Sequence, residues 1–416
     1  MKKFLTCLLL PVLLAVSCPS SPVSQQGGGV DLSYVPKIPD TESNYPPEPM
    51  SEKTAFDYFR DEKLLVGWNI GNTLDAYING RARETGWGNP MINQDLLNGV
   101  KKAGFDIVRI PVTWMGYIGP APDHHIDPQY LARVAEVAQM AHKAGLKAII
   151  NLHHDGSTES GGKDNGWLSI NKARAGKEGY NEVTHKFARV WRQIAVYFKN
   201  YGDWLIFESM NEIHDGNWGN GSVQGTQADI VNDWNRFFTQ IVRETGANNA
   251  SRYVVIPGYC TKPQHTLANY FWLPPDSVPN RQIVTFHYYD PYEFGIAGTR
   301  SEWGSASDKD RVARDFAPFK AKYIDGKIPV IIGEAGAVRQ LFPNDKAKED
   351  KARQSRLDYL SWVFGKAKEN GLVPIYWDNG LFSGGGEQFG LFTRGNGKPN
   401  SAESEACIKA MVEAVK

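Results

Sequence analysis

Two glutamates stand at the ends of apolar runs. Glu212 closes WLIFESMNE (204–212) and Glu334 closes KIPVIIGE (327–334). A charge is seldom set at the edge of such a run without a partner or a task. Two carboxyl groups facing one cleft suit hydrolysis of a glycosidic bond: one protonates the leaving oxygen, and the other attacks the anomeric carbon or activates water. A separation of about 5–5.5 Å would indicate retention of configuration, and about 6.5–9.5 Å inversion.

Other polar residues sit at equivalent places. Asn69 ends the first apolar run and Arg109 lies late in the second. His153 and His154 end the third, and Asn211 precedes Glu212 in the fourth. His287 and Tyr289 end the sixth, Trp377 and Asp378 the eighth. Arg109 and Tyr289 are expected to keep Glu334 ionised, holding it low as a nucleophile requires. Glu212 has no such cation in view. Repulsion from a charged Glu334 is expected to raise it, as a general acid requires.

The elements that must position these residues alternate between two patterns. Near-continuous apolar runs fall at 64–70, 105–112, 146–154, 204–212, 252–258, 281–289, 327–334 and 372–379. Helical periodicity fills most gaps, near 92–103, 128–144, 181–199, 227–245, 308–322, 350–369 and 402–415. Apolar runs without alternation suit parallel strands buried on both faces. Eight of them separated by crossovers predict a (β/α)8 barrel, whose functional residues gather at the C-terminal ends of strands. A doubly wound sheet is the alternative, but GWNIGN (67–72) lacks the glycine spacing of a dinucleotide site.

Taken together and in order, GWNIGNTLDA, VRIPVTW, NLHHDG, FESMNE, FHYYDP, VIIGEAG and YWDNG resemble glycoside hydrolase family 5, most of all its subfamily 4 of bacterial endo-β-1,4-glucanases. The resemblance covers nearly all of residues 51–400. It implies a retaining (β/α)8 enzyme with Glu212 as acid/base and Glu334 as nucleophile. It further implies that Asn211 hydrogen-bonds a sugar 2-hydroxyl and that Arg109 and Tyr289 support the nucleophile. His153 and His154 would serve the same subsite, His287 the acid/base, Trp377 as an aromatic floor, and Asn69 as a sugar ligand. Ile213 stands where many members have proline after the acid/base. Trp218 in the long loop 212–227, with Trp114, Trp167 and Trp303, are candidates for outer sugar platforms.

The chain has 416 residues, zero formal net charge, and 12 Trp, 18 Tyr and 19 Phe. A neutral chain argues against an electrostatic grip on nucleic acid. Met1–Ser17 reads as an export signal, and LLAVSC resembles a lipobox ending at Cys18. Residues 18–50, rich in Ser, Pro and Gly, read as a tether, and 51–416 as one catalytic domain. The expected product is an exported protein held at the outer membrane or cell surface, otherwise secreted or periplasmic, and monomeric. Cys260 and Cys407 leave a disulfide open. No cofactor or metal is implied, because zinc needs three or four converging ligands and the resemblance gives His153 and His154 other work. A structural calcium on loop carboxylates stays open.

The expected substrate is unbranched or mixed-linkage β-1,4-glucan, on soluble or amorphous chains since no separate binding module is evident. Xyloglucan, xylan and mannan are the alternatives, depending on loop shape. A glycan-binding surface lipoprotein is the non-enzymatic alternative, disfavoured because both glutamates are present.

Overall fold

Strand propensity and burial on both faces set the frame of the molecule. The computed structural model describes residues 39–156 and 164–416. Its strands are β1 (Gly67–Ile70), β2 (Tyr77–Ile78), β3 (Arg81–Ala82), β4 (Ile107–Ile110) and β5 (Lys147–Ile150). They continue as β6 (Leu205–Glu208), β7 (Val254–Pro257), β8 (Gln282–Tyr288), β9 (Val330–Ala335) and β10 (Leu372–Asp378). All but β2 and β3 close into one parallel barrel in the order β1-β10-β9-β8-β7-β6-β5-β4, with β4 returning to β1. The expected (β/α)8 architecture is thus observed, and β2 and β3 form an unforeseen antiparallel hairpin.

The outer helices follow from amphipathic patterning and end chemistry. Asp127 caps the helix Pro128–Lys143 by accepting from Gln129 N, with proline at the first helical turn. Ser305 and Asp308 form a reciprocal capping box on Ala306–Phe319. The ladder strands stop up to four residues short of the expected ends, because the chain leaves the ladder where its polar side chains enter the mouth.

Side chains along the strands build the interior in layers. Ile107, Ile149, Ile206, Val255, Ile283, Ile331 and Ile375 form one apolar cluster with Tyr253. Tyr58 and Phe59 of the helix Ala55–Asp61 join that cluster at the floor. Two residues further along these strands come Arg109, Asn151, Glu208, Thr285 and Gly333, joined by Asn69 of β1 beside Arg109, a largely polar layer beneath the mouth. Alternation of period two makes the layering unavoidable once the register is set.

The expected boundary near residue 50 moves. Residues 39–50, assigned by composition to the tether, lie on the folded body. Asp40 pairs with Arg189 and Arg192, Glu42 with Lys199, and Tyr45 stacks on Tyr201 at 4.0 Å. Glu48 accepts from Gly202 N at 2.8 Å and from Trp204 Nε1 at 2.5 Å. These contacts were invisible locally, because their partners lie some 150 residues away. The export signal, Cys18 and the rest of the tether lie outside the described residues. Cys260 and Cys407 are buried free thiols. Among the described residues, no helix is long and apolar enough to cross a membrane.

Candidate active site

The C-terminal ends of the barrel strands open into a cleft of about 990 Å³. Glu212 follows β6 and Glu334 lies near the end of β9. One carboxylate oxygen of each, together with a ring nitrogen of His287, lie within 4.8 Å of one another. The β8–β9 ladder shifts register between Phe286 and His287, and this irregularity sets His287 opposite Glu334. Gly333 makes room for it: a Cβ there would fall 2.7 Å from Thr285 Oγ1 and 3.1 Å from His287 Nε2.

Arg109 is the hub of the polar layer. It is fully buried and donates from Nε to Glu208 Oε2 (2.7 Å) and from Nη1 to Glu334 Oε1 (2.9 Å) and Asn69 Oδ1 (3.0 Å). Its Nη2 donates to Asn211 Oδ1 at 2.7 Å, which turns the Asn211 amide nitrogen away from the arginine. Tyr289 OH donates to Glu334 Oε2 at 2.9 Å. Asn151 is oriented by Val112 N, which donates to its Oδ1, so its Nδ2 donates to Glu208 Oε2 and to His153 Nδ1. The His153 proton is thereby left on Nε2, 3.8 Å from Glu334 Oε1.

His287 Nδ1 lies 2.6 Å from Glu212 Oε1 and 3.6 Å from Glu334 Oε2. Burial pulls His287 down to about 4, so it is neutral and hydrogen-bonds Glu212 Oε1 through Nδ1. Burial pushes Glu212 up to about 7, against the charges of His214, Arg109 and Lys262. The rise was expected, but from Glu334; the cause is loss of water. Glu334 departs from expectation more sharply. Burial and the charge of Glu212 push it up, against His287, Arg109 and Tyr289. Arg109 cannot hold it low because that one cation is divided between Glu334 and the fully buried Glu208. Both mouth carboxyls are therefore raised, Glu212 to about 7. Glu334 receives two directed donors, Arg109 and Tyr289, so the charge settles there and the proton on Glu212.

The other expected residues divide. His153, His154, Asn211, His287, Tyr289 and Trp377 line the cleft, with Trp377 parallel to His153 at 5.8 Å. Asn69 does not. It is fully buried, its amide nitrogen donates to Gly333 O and Tyr376 O, and its oxygen serves Arg109. Its hydrogen-bonding capacity is spent inside the barrel, so it braces the arginine rather than binding sugar.

Of the four candidate tryptophans only Trp218 lines the cleft, 41% exposed and stacked on His214 at 3.9 Å. Trp114 is fully buried, donating to Asn151 O and packing edge-on to Tyr130. Trp303 packs edge-on to Tyr359 in the core. Trp167 donates to Asp155 Oδ1 at 2.6 Å and is held under Lys186. Asp155 also accepts from Trp114 N, so it ties two loops together instead of joining His153 and His154 as a ligand set.

Sequence reading missed Glu208 and Asn151, which lie inside apolar runs. It also missed Tyr77 and Trp87, which line the cleft beside His154 from the hairpin region. Asp75 approaches His154 Nε2 at 3.8 Å, and one donor atom each of Asp75, His153 and His154 lie within 4.8 Å. Asp75 already accepts from Asn72 N and Thr73 N, and His153 from Asn151, which makes these posts of a hydrogen-bonded wall.

Comparison with known proteins agrees with this geometry. The family model described as Cellulase (glycosyl hydrolase family 5) matches residues 71–383. The chain is 34% identical over 373 residues to Endoglucanase A of Paenibacillus barcinonensis, spanning 84% of this chain and 88% of that protein. It is 33% identical over 362 residues to a xyloglucan-specific endo-beta-1,4-glucanase of Bacteroides ovatus, spanning 83% and 68%. Among solved structures, a GH5-4 broad specificity endoglucanase from Bacteroides salanitronis superposes with a TM-score of 0.80 at 40% identity, covering 90% of this chain and 98% of that one.

Proposed function

The chain belongs to glycosyl hydrolase family 5, and from that premise we propose that it cuts β-glucan by double displacement between Glu334 and Glu212. It is an endo-β-1,4-glucanase acting on β-glucan substrates, of the broad-specificity subfamily-4 type. The observation that carries the retaining reading is the close approach of the two carboxylates, with oxygens within 4.8 Å. Such an approach fits the short separation of a retaining pair, about 5–5.5 Å, better than the wider gap that holds an inverting pair's water.

In the first step a Glu334 oxygen forms a bond to the anomeric carbon while the bond to the leaving oxygen breaks. Glu212 gives its proton to that oxygen. Arg109 and Tyr289 direct Glu334, and the Asn211 amide nitrogen is free to donate to the sugar 2-hydroxyl. In the second step Glu212, now a carboxylate, takes a proton from water, whose oxygen displaces Glu334. His287 stays neutral throughout and holds the Glu212 carboxyl in place. Trp377 and His153 form a parallel-sided floor for the glycone ring, and Tyr77, Trp87 and His154 wall it.

The test is the anomer first released from a cello-oligosaccharide, followed by proton NMR. The β-anomer supports double displacement, and the α-anomer would sink it. Glu334→Gln should remove turnover in the same assay.

We also assign residues 1–17 to export and Cys18 to lipid attachment, at the cell surface or outer membrane. Support comes from the sequence LLAVSC. Labelling with a radioactive fatty acid, lost in Cys18→Ser, is the check. For xyloglucan as preferred substrate, the relative from Bacteroides ovatus is a supporting observation. A rate comparison of xyloglucan with lichenan decides it.

A further inference from the structure

Resting on that reading, we propose that the leaving-group side of the cleft is built for a glycan unit bearing a carboxylate, held by the ammonium of Lys262. Glu212 protonates the leaving oxygen, so the leaving sugar lies on its side, toward the loops after β6 and β7. His214, Trp218, Lys262 and Gln264 line the cleft there.

Lys262 is the cation without an ion-pair partner on this wall among the described residues. Arg311, which also lines the cleft, is paired with Asp290 at 2.7 Å and Asp315 at 3.7 Å. Arg109 is consumed by Glu208 and Glu334. The charge of Lys262 reaches Glu212, Asp290 and His214, but none of them pairs with it directly. A cation facing a concave wall is a ready partner for an anion that arrives with the substrate.

The stem of Lys262 is also held. A Cβ on Gly219 would lie 3.1 Å from Lys262 Cδ, and Gly219, at φ +69°, has no side chain to block the approach. Gly219 follows Trp218 directly. The aromatic platform and the ammonium are therefore neighbours through one short segment and line the same stretch of the cleft. The matching chemistry is a uronic acid unit or a carboxyalkyl ether on the chain, both offering one carboxylate to one ammonium.

Two soluble cellulose ethers separate the cases: carboxymethylcellulose, which is anionic, and hydroxyethylcellulose, which is neutral. Lys262→Met should raise KM on carboxymethylcellulose by about fivefold and leave hydroxyethylcellulose within about twofold, as expected for a partly exposed ion pair. Lys262→Arg should keep the preference, and about 0.5 M NaCl should erase it. An equal loss on both polymers, whether in KM or in kcat, would overturn the inference in favour of Lys262 acting through Glu212. No change on either polymer would overturn it too. Glucuronoxylan fragments compared with unsubstituted xylo-oligosaccharides then tell a uronic acid from an ether. A wild-type enzyme that cleaves neither polymer would strike the glucanase reading itself.

Discussion

The mouth and the floor of the barrel each bury an arginine, and each arginine is satisfied in a different way. Arg109 at the mouth meets two carboxylates and two amide oxygens. Arg252 at the floor meets no carboxylate. Its guanidinium donates to the carbonyls of Phe198, Tyr201, Gly202 and Leu205 and to Asn249 Oδ1. Both are fully buried. The carboxylates hold Arg109 well above its ordinary value. Burial, aided by Arg243, draws Arg252 down to about 9, still charged at neutral pH. The mouth uses its cation to arrange negative charge for chemistry. The floor uses its cation to close chain ends where backbone carbonyls would otherwise lack donors.

The comparison breaks first on catalysis. Arg109→Met is expected to lower kcat/KM by about 10³-fold, since Glu334 and Asn211 lose their common support. Arg252→Met should leave kcat/KM of the folded enzyme unchanged. It should instead remove more than about 3 kcal/mol of stability, through buried acceptors left without donors. Urea denaturation beside steady-state kinetics reads both. If Arg252→Met lowers kcat, or Arg109→Met leaves it intact, the division between mouth and floor fails.

Acidity sharpens the same contrast. Glu212 lies at about 7, above the ordinary 4.5 of a glutamic acid. The rate on polymer should fall as pH rises through about 7, when the proton leaves. Stability carries the same sign. A carboxyl whose folded value is raised favours folding at low pH and loses that contribution as pH climbs from its unfolded value through its folded one. Glu212→Gln is therefore expected to gain melting temperature over wild type as pH goes from about 4.5 to about 7. An advantage that is flat with pH would mean that burial does not set the Glu212 proton.

Aromatics give a smaller effect. Trp218→Ala should raise KM by about fivefold with the melting temperature kept, as expected of an exposed platform. Trp114→Phe should do the reverse, losing about 1–2 kcal/mol of stability by leaving Asn151 O without its indole donor. Smallest is the floor clasp. Glu48→Ala frees Gly202 N and Trp204 Nε1, and should cost about 1–2 kcal/mol in urea with kinetics unaltered. A changed KM in that variant would mean that the clasp reaches the mouth.

Much of this was legible in the sequence because it is written locally. Eight apolar runs, their order and the polar residues at their ends gave the barrel and the pair Glu212 and Glu334. What was misread depends on contacts far apart in the chain. Asn69, Trp114 and Trp303 have the residue types of sugar ligands. Whether such a side chain faces a cleft or a helix is set by packing partners elsewhere. Glu208 was passed over because it sits four residues before the end of its run, and only the closed barrel puts Arg109 beside it.

The sequence alone therefore determined the near-continuous apolar strands, their alternation with helices, and the chemical inventory at the mouth. The tertiary structure decided how that inventory is shared. It divided one arginine between two carboxylates, exposed one of four candidate tryptophans, and made burial rather than mutual repulsion the main cause of the raised glutamic acids. The physical reason is range. Periodicity is a property of neighbours along the chain, while desolvation and charge pairing are properties of neighbours in space, and ring closure brings those together from across the whole chain.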